Sequence, residues 1–503
     1  MPLSHVRSLA PLLCSAHSLH SLVPQPRSPL RAIRSFRIRP RSLAPRPQHW
    51  NGTSTLTEAT VIATEAGTQL QYTTLTEKGR AAYATALAAG TLTMAQLDAS
   101  VARALLIRFR LGEFDDADSP YGSVGGNEWT PHLDTAAHRA LARESASASA
   151  VLLKNADAAL PLNDAVKSVG CIGAFANDTV EMLHSYTGVP SKIVTIDAAL
   201  KGHAAAIGAS YDARVSDFSY KDIANAVALV KRVEVAVLVL GLGSKVEAEG
   251  VDRLELGWPA DQKALLDAVS VAARAAGTKL VLLIVSAGPV ALNEARADAI
   301  VWVGYPGEEA GNGVVDVLWA RNGVSPSGRL PVTWYGSDYL AQVGPELDYA
   351  LESGAGRTYR YLDERKSASV YKFGFGLSFS QFKYSQLTVD TAGFPDLAVG
   401  VVVENTGAVA AAAVAQLYVS VPEAGGEGVP LRALAGFQKV LLAPGQATRL
   451  EFRVVEEQQK TTGSLGNRSL VPGVYTVSVG GHQPGDRKGE AESNTVAAEY
   501  TVR

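Results

Sequence analysis

The sequence predicts an α/β protein, a layered α/β domain followed by an all-β sandwich. Between residues 168 and 334, short β-branched apolar runs alternate with amphipathic helical stretches. After residue 385 the apolar period drops to two, with turn residues between the runs. Length points the same way, because 503 residues is about twice what one hydrophobic core organises and implies two or three domains.

Taken in order, residues 1–50 hold eight Arg and no Lys, Asp or Glu, with prolines at 24, 26, 29, 40, 45 and 47. They show neither a compact apolar segment nor a small-residue cleavage site, so a secretory signal is not indicated. An Arg- and Ser-rich leader resembles an organelle transit peptide; the prolines favour a disordered extension, or translated sequence outside the gene. Residues 93–111 then read as a helix, with Thr93 and Gln96 as a capping box and an apolar stripe of Leu97, Val101, Leu105 and Phe109. Gly112 is its expected stop. A loop with Asp115, Asp116, Pro120, Gly122, Gly125 and Gly126 suggests a domain boundary near residue 120, and Asp134 is placed to cap a second helix through His138 and Glu144.

Ser168–Phe175, Val235–Leu242, Leu280–Val285 and Ala299–Val303 are continuous apolar runs, as strands covered on both faces require. Asp222–Arg232, Pro259–Ala275 and Glu308–Arg321 are the amphipathic stretches between and after them, which gives a largely parallel sheet. Ala398–Glu404, Ala413–Ser420, Arg449–Val454 and Val474–Val479 alternate with period two around turns at Asn405-Thr406-Gly407, Pro444-Gly445 and Pro472-Gly473. That spacing fits a small antiparallel sandwich of immunoglobulin or fibronectin type III kind.

Composition excludes several functions. Removing the eight leader arginines from 46 Lys+Arg leaves 38 basic against 49 acidic residues, a net charge near −11, which argues against nucleic acid as a partner. The longest apolar run, Leu280–Leu292, contains Gly288 and Pro289 and is too short to cross a membrane. Cys14 and Cys171 make no disulfide framework and join no Cys/His cluster, so no metal or other cofactor is expected. Neither a G-x-S-x-G elbow nor a phosphate loop occurs, and His138, His184, His203 and His482 stand apart in sequence, as surface or hydrogen-bonded structural histidines would. Gly241 and Gly243 begin a G-x-G pattern, but Val246 occupies the third glycine position, which removes a dinucleotide fingerprint. Asn51, Asn177 and Asn467 head glycosylation sequons that matter only on a secretory route.

The segment Gly241–Arg253 follows a buried strand and gathers Glu247, Glu249, Asp252 and Arg253. Ligands of open α/β sheets bind beyond the carboxyl ends of strands. A carboxyl group there, between apolar surface and an arginine, has the surroundings that tune a general acid/base. The other reading is a solvated loop whose Asp252/Arg253 pair starts a helix.

Ordered motifs then carry a resemblance. Arg108–Asp115 (RFRLGEFD), Ser149–Asn155 (SAVLLKN), Leu160-Pro-Leu162, Glu247–Arg253 (EAEGVDR), Ser286-Ala-Gly-Pro289, Val303–Gly307 (VGYPG), Gly328–Trp334 (GRLPVTW), Gly356–Tyr361 (GRTYRY) and Phe373–Ser378 (FGFGLS) resemble glycoside hydrolase family 3. Asn405-Thr-Gly407, Gln416–Ser420 (QLYVS) and Leu434–Lys439 (LAGFQK) continue the match into the sandwich, so it runs from about residue 52 to 482. The Glu-Ala-Glu-Gly loop and Tyr186–Pro190 (YTGVP) look most like the β-xylosidase/α-L-arabinofuranosidase branch.

The resemblance implies a leader (1–50), a C-terminal remnant of a (β/α)8 barrel (51–118), a linker and helix (119–145), an α/β sandwich domain (146–345), a connecting segment (346–384) and a fibronectin type III-like domain (385–503). It implies an exo-acting retaining β-glycosidase on xylan-type oligosaccharides, with Glu247 or Glu249 as acid/base and Asp252 and Arg253 supporting the loop. Family relatives show Leu-Pro-Gly where this chain has Trp258-Pro259-Ala260 before Gln262. Such members are usually extracellular. A full barrel takes about 250 residues, yet only Gly52–Leu111 resemble its end, and the family's nucleophilic aspartate has no counterpart. Retaining hydrolysis needs two carboxylates about 5–5.5 Å apart, so the expectation is a half-site with little or no turnover. A non-catalytic carbohydrate-binding or assembly module is the alternative, and an incomplete gene model a third.

Overall fold

A computed structural model describes residues 55–69, 76–114, 132–216, 219–292, 296–343, 350–363, 369–463, 466–485 and 494–503. The leader, the sequon at Asn51 and the loop from Asp115 to Gly126 lie outside the described residues. The chain divides into two compact units, Met1–Thr130 and Pro131–Arg503.

The first unit contains α1 (Leu56–Glu65), α2 (Glu77–Ala88) and α3 (Met94–Arg110). Each starts on a threonine, Thr55, Thr76 or Thr93, whose hydroxyl accepts a backbone N–H of the first turn. Thr93 and Gln96 complete the expected capping box. Gly112, at φ +73°, ends α3 as a Schellman turn with Glu113 N donating to Arg108 O at 3.1 Å. The apolar stripe of α3 is largely open to solvent: Val101 is 44% and Phe109 46% exposed.

The second unit begins with α4 (Ala136–Ser149). Its cap corrects the expectation for Asp134. Thr135 is extended and accepts from His138 N, whereas Asp134, at positive φ, turns away to accept Ser191 N at 2.7 Å. An N-cap needs extended geometry so that its oxygen meets the free amides, and only Thr135 has it.

Six strands follow: β1 (Val151–Asn155), β2 (Ser168–Ile172), β3 (Ser210–Arg214), β4 (Val235–Gly241), β5 (Lys279–Val285) and β6 (Ala299–Trp302). They form one sheet in the order β1-β6-β5-β4-β2-β3, parallel except where β1 runs against β6. Every residue of β4 is buried, which is why its sequence is a continuous apolar run rather than an alternating one. The helices α5 (Ile196–Ala206) and α8 (Ala310–Leu318) share one hydrophobic core with one face of the sheet. α6 (Ile223–Val230) and α7 (Ala260–Ala276) share a second core with the other face. The layered sandwich is therefore the predicted one.

The strand order sets the site. From β2 the chain crosses through α5 to β3 on one side, and from β4 it crosses through α7 to β5 on the other. Neighbouring strands β2 and β4 thus send their connections apart. The carboxyl ends of such diverging strands are the position where doubly wound sheets hold ligands.

A short ribbon of β7 (Trp334–Tyr335) and β8 (Ser369–Tyr371), with one turn of helix α9 (Thr358–Tyr361), leads to the all-β part. There β9 (Phe382–Asp390), β10 (Leu397–Asn405) and β13 (Ala447–Val454) make a three-stranded sheet. β11 (Ala411–Ser420), β12 (Ala433–Leu442), β16 (Gly473–Gly480) and β17 (Thr495–Val502) make a four-stranded one. All pairings are antiparallel, and one apolar core lies between the two sheets. β14 (Thr461–Thr462) and β15 (Arg468–Ser469) form a small side ribbon. Gln416 Nε2 donates to Gly374 O at 2.9 Å and to Gly481 O at 3.0 Å, Leu431 N donates to Arg360 O at 2.7 Å, and Tyr359 packs edge-on against Tyr418. These contacts staple the sandwich to the preceding segment.

Candidate functional site

The loop leaving β4 is folded by its own backbone first. Val246 N and Glu247 N both donate to Gly243 O, at 2.8 and 3.0 Å, closing one turn. Val251 N then donates to Ala248 O at 2.9 Å across a four-residue turn with Gly250 at φ +75°. A positive φ at the third position makes this a type II turn, the geometry that glycine adopts without strain. Glu249 occupies the corner before it. It is exposed and has no hydrogen-bond or ion-pair partner among the described residues.

Glu247 has the opposite surroundings. Its Oε1 accepts from Ala287 N at 2.6 Å and from Tyr305 Oη at 2.9 Å, and its Oε2 accepts from Gly288 N at 3.1 Å. Arg253 Nη2 lies 3.4 Å from Oε2, and Arg253 Nη1 donates to Pro289 O at 2.9 Å. The two side chains are only 16% and 15% exposed. Gly288 makes the approach possible, because a Cβ there would sit 2.8 Å from Arg253 Nη2 and 3.1 Å from Glu247 Oε2.

Tyr305 and His184 complete the frame. The Tyr305 hydroxyl reaches Leu242 O at 2.7 Å as well as Glu247, so its single proton is shared between two acceptors. Burial first, and the Glu247 carboxylate second, push the phenol's proton affinity up. The His184 ring stacks on Tyr305 with centroids 4.1 Å apart, and its Nε2 lies 2.8 Å from Glu247 O. Glu181 accepts from Ser244 N and Ser244 Oγ, both at 2.8 Å. Loops after β2, β4, β5 and β6 therefore meet around Glu247. Gln262, buried in the first turn of α7, pins the end of β4 by accepting from Gly241 N at 2.9 Å and donating to Gly241 O at 2.7 Å.

The sequence-predicted residues separate into distinct roles. Glu247 and Arg253 pair, Glu249 stands free at the loop tip, and Asp252 is exposed without a partner among the described residues. Asp252 and Arg253 start no helix, since α7 begins at Ala260 after an extended Pro259. Tyr305, Glu181 and the amides of Ala287 and Gly288 were not singled out by sequence reasoning, and His184 was expected only as a surface or hydrogen-bonded structural histidine. Two of the segments, Ser286–Pro289 and Val303–Gly307, were already visible as motifs, but a motif does not say which carboxylate its amides face. Among the described residues no three His, Cys, Asp or Glu side chains cluster as metal ligands, and no helix is long and apolar enough to cross a membrane. What remains chemically is one held carboxylate beside one unengaged carboxyl on a tight turn.

Residues 150–379 match the glycosyl hydrolase family 3 C-terminal domain, and residues 413–483 match the fibronectin type III-like domain. A probable exo-1,4-β-xylosidase of Aspergillus clavatus is 33% identical over 458 residues, covering 85% of this chain and 56% of the relative. A β-D-xylosidase of Arabidopsis thaliana is 30% identical over 440 residues, covering 78% of this chain and 55% of the relative. Among solved structures, a family 3 exo-β-xylosidase bound to a xylobiose aziridine probe superposes with a TM-score of 0.74 and 25% identity, covering 90% of this chain and 59% of that one. A family 3 β-glucosidase of Bifidobacterium adolescentis gives 0.68 and 27%, covering 88% and 63%. The chain thus spans little more than half the length of the curated relatives it matches.

Proposed function

Because the chain belongs to glycoside hydrolase family 3 through its C-terminal α/β domain and fibronectin type III-like domain, we propose that it carries the acid/base half of a retaining exo-β-xylosidase site, with Glu249 as the proton donor. One observation carries this choice. Glu249 is the loop carboxyl with no partner among the described residues, while Glu247 is engaged by two amides, a phenol and a guanidinium. A general acid must reach the leaving oxygen with its proton, then take one from water. Glu249 can do so without breaking the loop. Arg253 and Glu247 act through the backbone by holding the turn, and Asp252 is a substrate-facing or loop-supporting group of the same reading.

Retention of configuration also needs a nucleophilic carboxylate about 5–5.5 Å from the acid. The reading assigns that group to none of the residues described here, and so expects the 503-residue chain alone to release little or no p-nitrophenol from p-nitrophenyl β-D-xyloside. Turnover by the purified chain that disappears in Glu249→Gln would overturn the half-site. Turnover lost in Glu247→Gln but kept in Glu249→Gln would overturn the assignment of the acid. The substrate class proposed is xylo-oligosaccharide, tested by isothermal titration with xylotriose. An extracellular location belongs to the same proposal, and immunoblots of medium against cell extract test it.

A further inference from the structure

At the opposite end of the strands from the Glu249 loop lies a recess of about 870 Å³, lined by the end of β1, the end of α7, the start of β5 and the residues before β6. Four cationic side chains converge on it: Lys154, Arg274, Lys279 and Arg296. Lys279 is held by Ala159 O, to which its Nζ donates at 3.1 Å. Lys154, Arg274 and Arg296 make no ion pair or hydrogen bond with any described residue. Two acids share the lining, Asp157 and Asp298. Asp298 is held in place, its Oδ2 accepting Leu280 N at 2.8 Å, and it keeps its charge in the recess.

Several other exposed arginines of this unit are paired: Arg232 with Asp212, Arg321 with Asp164, Arg453 with Asp396 and Arg468 with Glu457. The chain is net acidic as well. Four cations against two carboxylates leave the recess with an excess of positive charge, which an anion would offset. Arg274 has one other reason to be where it is, since a cation in the last turn of α7 complements the helix dipole. Lys154 and Arg296 lie in no helix, so that account does not reach them.

We infer that this recess binds a small organic dianion, a phosphate monoester of sugar size, between Lys154, Arg274 and Arg296. The volume favours an ester over free phosphate, because it falls in the range of about 300–1,000 Å³ typical of small-molecule pockets. Guanidinium groups suit a phosphate because they can offer paired N–H donors to its oxygens.

Isothermal titration of the full chain at constant ionic strength tests the site, with inorganic phosphate and glucose 6-phosphate as probes. One saturable site is expected, tighter for the ester, with Arg274→Ala and Arg296→Ala each weakening binding by about fivefold, the upper end for exposed charge pairs. Arg296→Ala should melt where the parent does, because Arg296 has no partner among the described residues, and Arg274→Ala should melt only slightly lower, since it gives up a cation at the end of α7. Saturable binding of inorganic phosphate as tight as that of the ester would overturn the ester and leave a phosphate site. The proposal fails outright if neither probe gives saturable heat up to about 10 mM, a limit of roughly 3 kcal/mol. It also fails if the Lys154→Ala/Arg274→Ala/Arg296→Ala triple variant binds like the parent, or if monoanionic glucuronate binds as tightly as glucose 6-phosphate.

Discussion

Two glutamates separated by one alanine have opposite fates because of what their loop meets. Glu247 points back into the frame and closes it; Glu249 points out and closes nothing. Glu247→Gln keeps the shape but loses the charge that four donors were arranged around, and should lower unfolding free energy by about 2–3 kcal/mol, the range for hydrogen bonds to a buried charged group. Glu249→Gln should stay within about 0.5 kcal/mol of the parent, as surface substitutions do. Urea denaturation of both variants checks the pair, and equal losses would remove the distinction between anchor and acid. Tyr305→Phe deletes one hydroxyl shared by Leu242 O and Glu247. Its expected loss is about 1–2 kcal/mol, with faster amide exchange in the 243–253 loop as the specific sign that the frame has loosened.

Elements differed in how plainly they were written in the sequence. β4, β5 and β6 were legible because complete burial leaves a run of Val, Leu and Ile that nothing else explains. α3 and its capping box were legible for the same kind of reason, a local rule obeyed by local residues. β12 and β17 escaped notice. β12 carries Gly436 and exposes Phe437 and Leu441, and β17 alternates weakly through Ala497 and Ala498, so neither shows a clean period of two. The charged loop 241–253 was found from its ionisable residues. Its frame was not, because Tyr305 and His184 arrive from strands that are distant in sequence, and only the strand order brings them together. A pH prediction belongs to α5 and α8. His203 packs edge-on against Trp319, and burial lowers its proton affinity despite Asp164 at 3.8 Å. The folded state thus prefers the neutral ring. Stability is full above the ordinary histidine value of 6.5 and falls as the unfolded chain takes up the proton on acidification. Urea midpoints between about pH 7.5 and pH 5.5 should drop less steeply in His203→Asn.

Within the second unit, the α/β layers and the all-β sandwich are joined by Gln416, the Tyr359–Tyr418 edge contact and the backbone of Leu431 and Leu434. Gln416 is 3% exposed and its amide serves both sides. The two parts should therefore unfold as one cooperative block, unlike neighbours tied by a loose linker. Calorimetry of the full chain should show no separate transition for residues 385–503. Gln416→Ala, which strands two buried carbonyls, should lower the shared midpoint by an amount equal to about 2–3 kcal/mol. A low-temperature peak of its own for the sandwich in the parent chain would contradict this.

The type II turn at Ala248–Val251 leaves Glu249, the proposed proton donor, outside every hydrogen bond and ion pair among the described residues. Inheritance can therefore tinker with position 249 cheaply. A lineage could retire the group, exchange it or lengthen its reach by one methylene while the scaffold persists unaltered, so survival of the architecture is no guarantee of survival of the reaction.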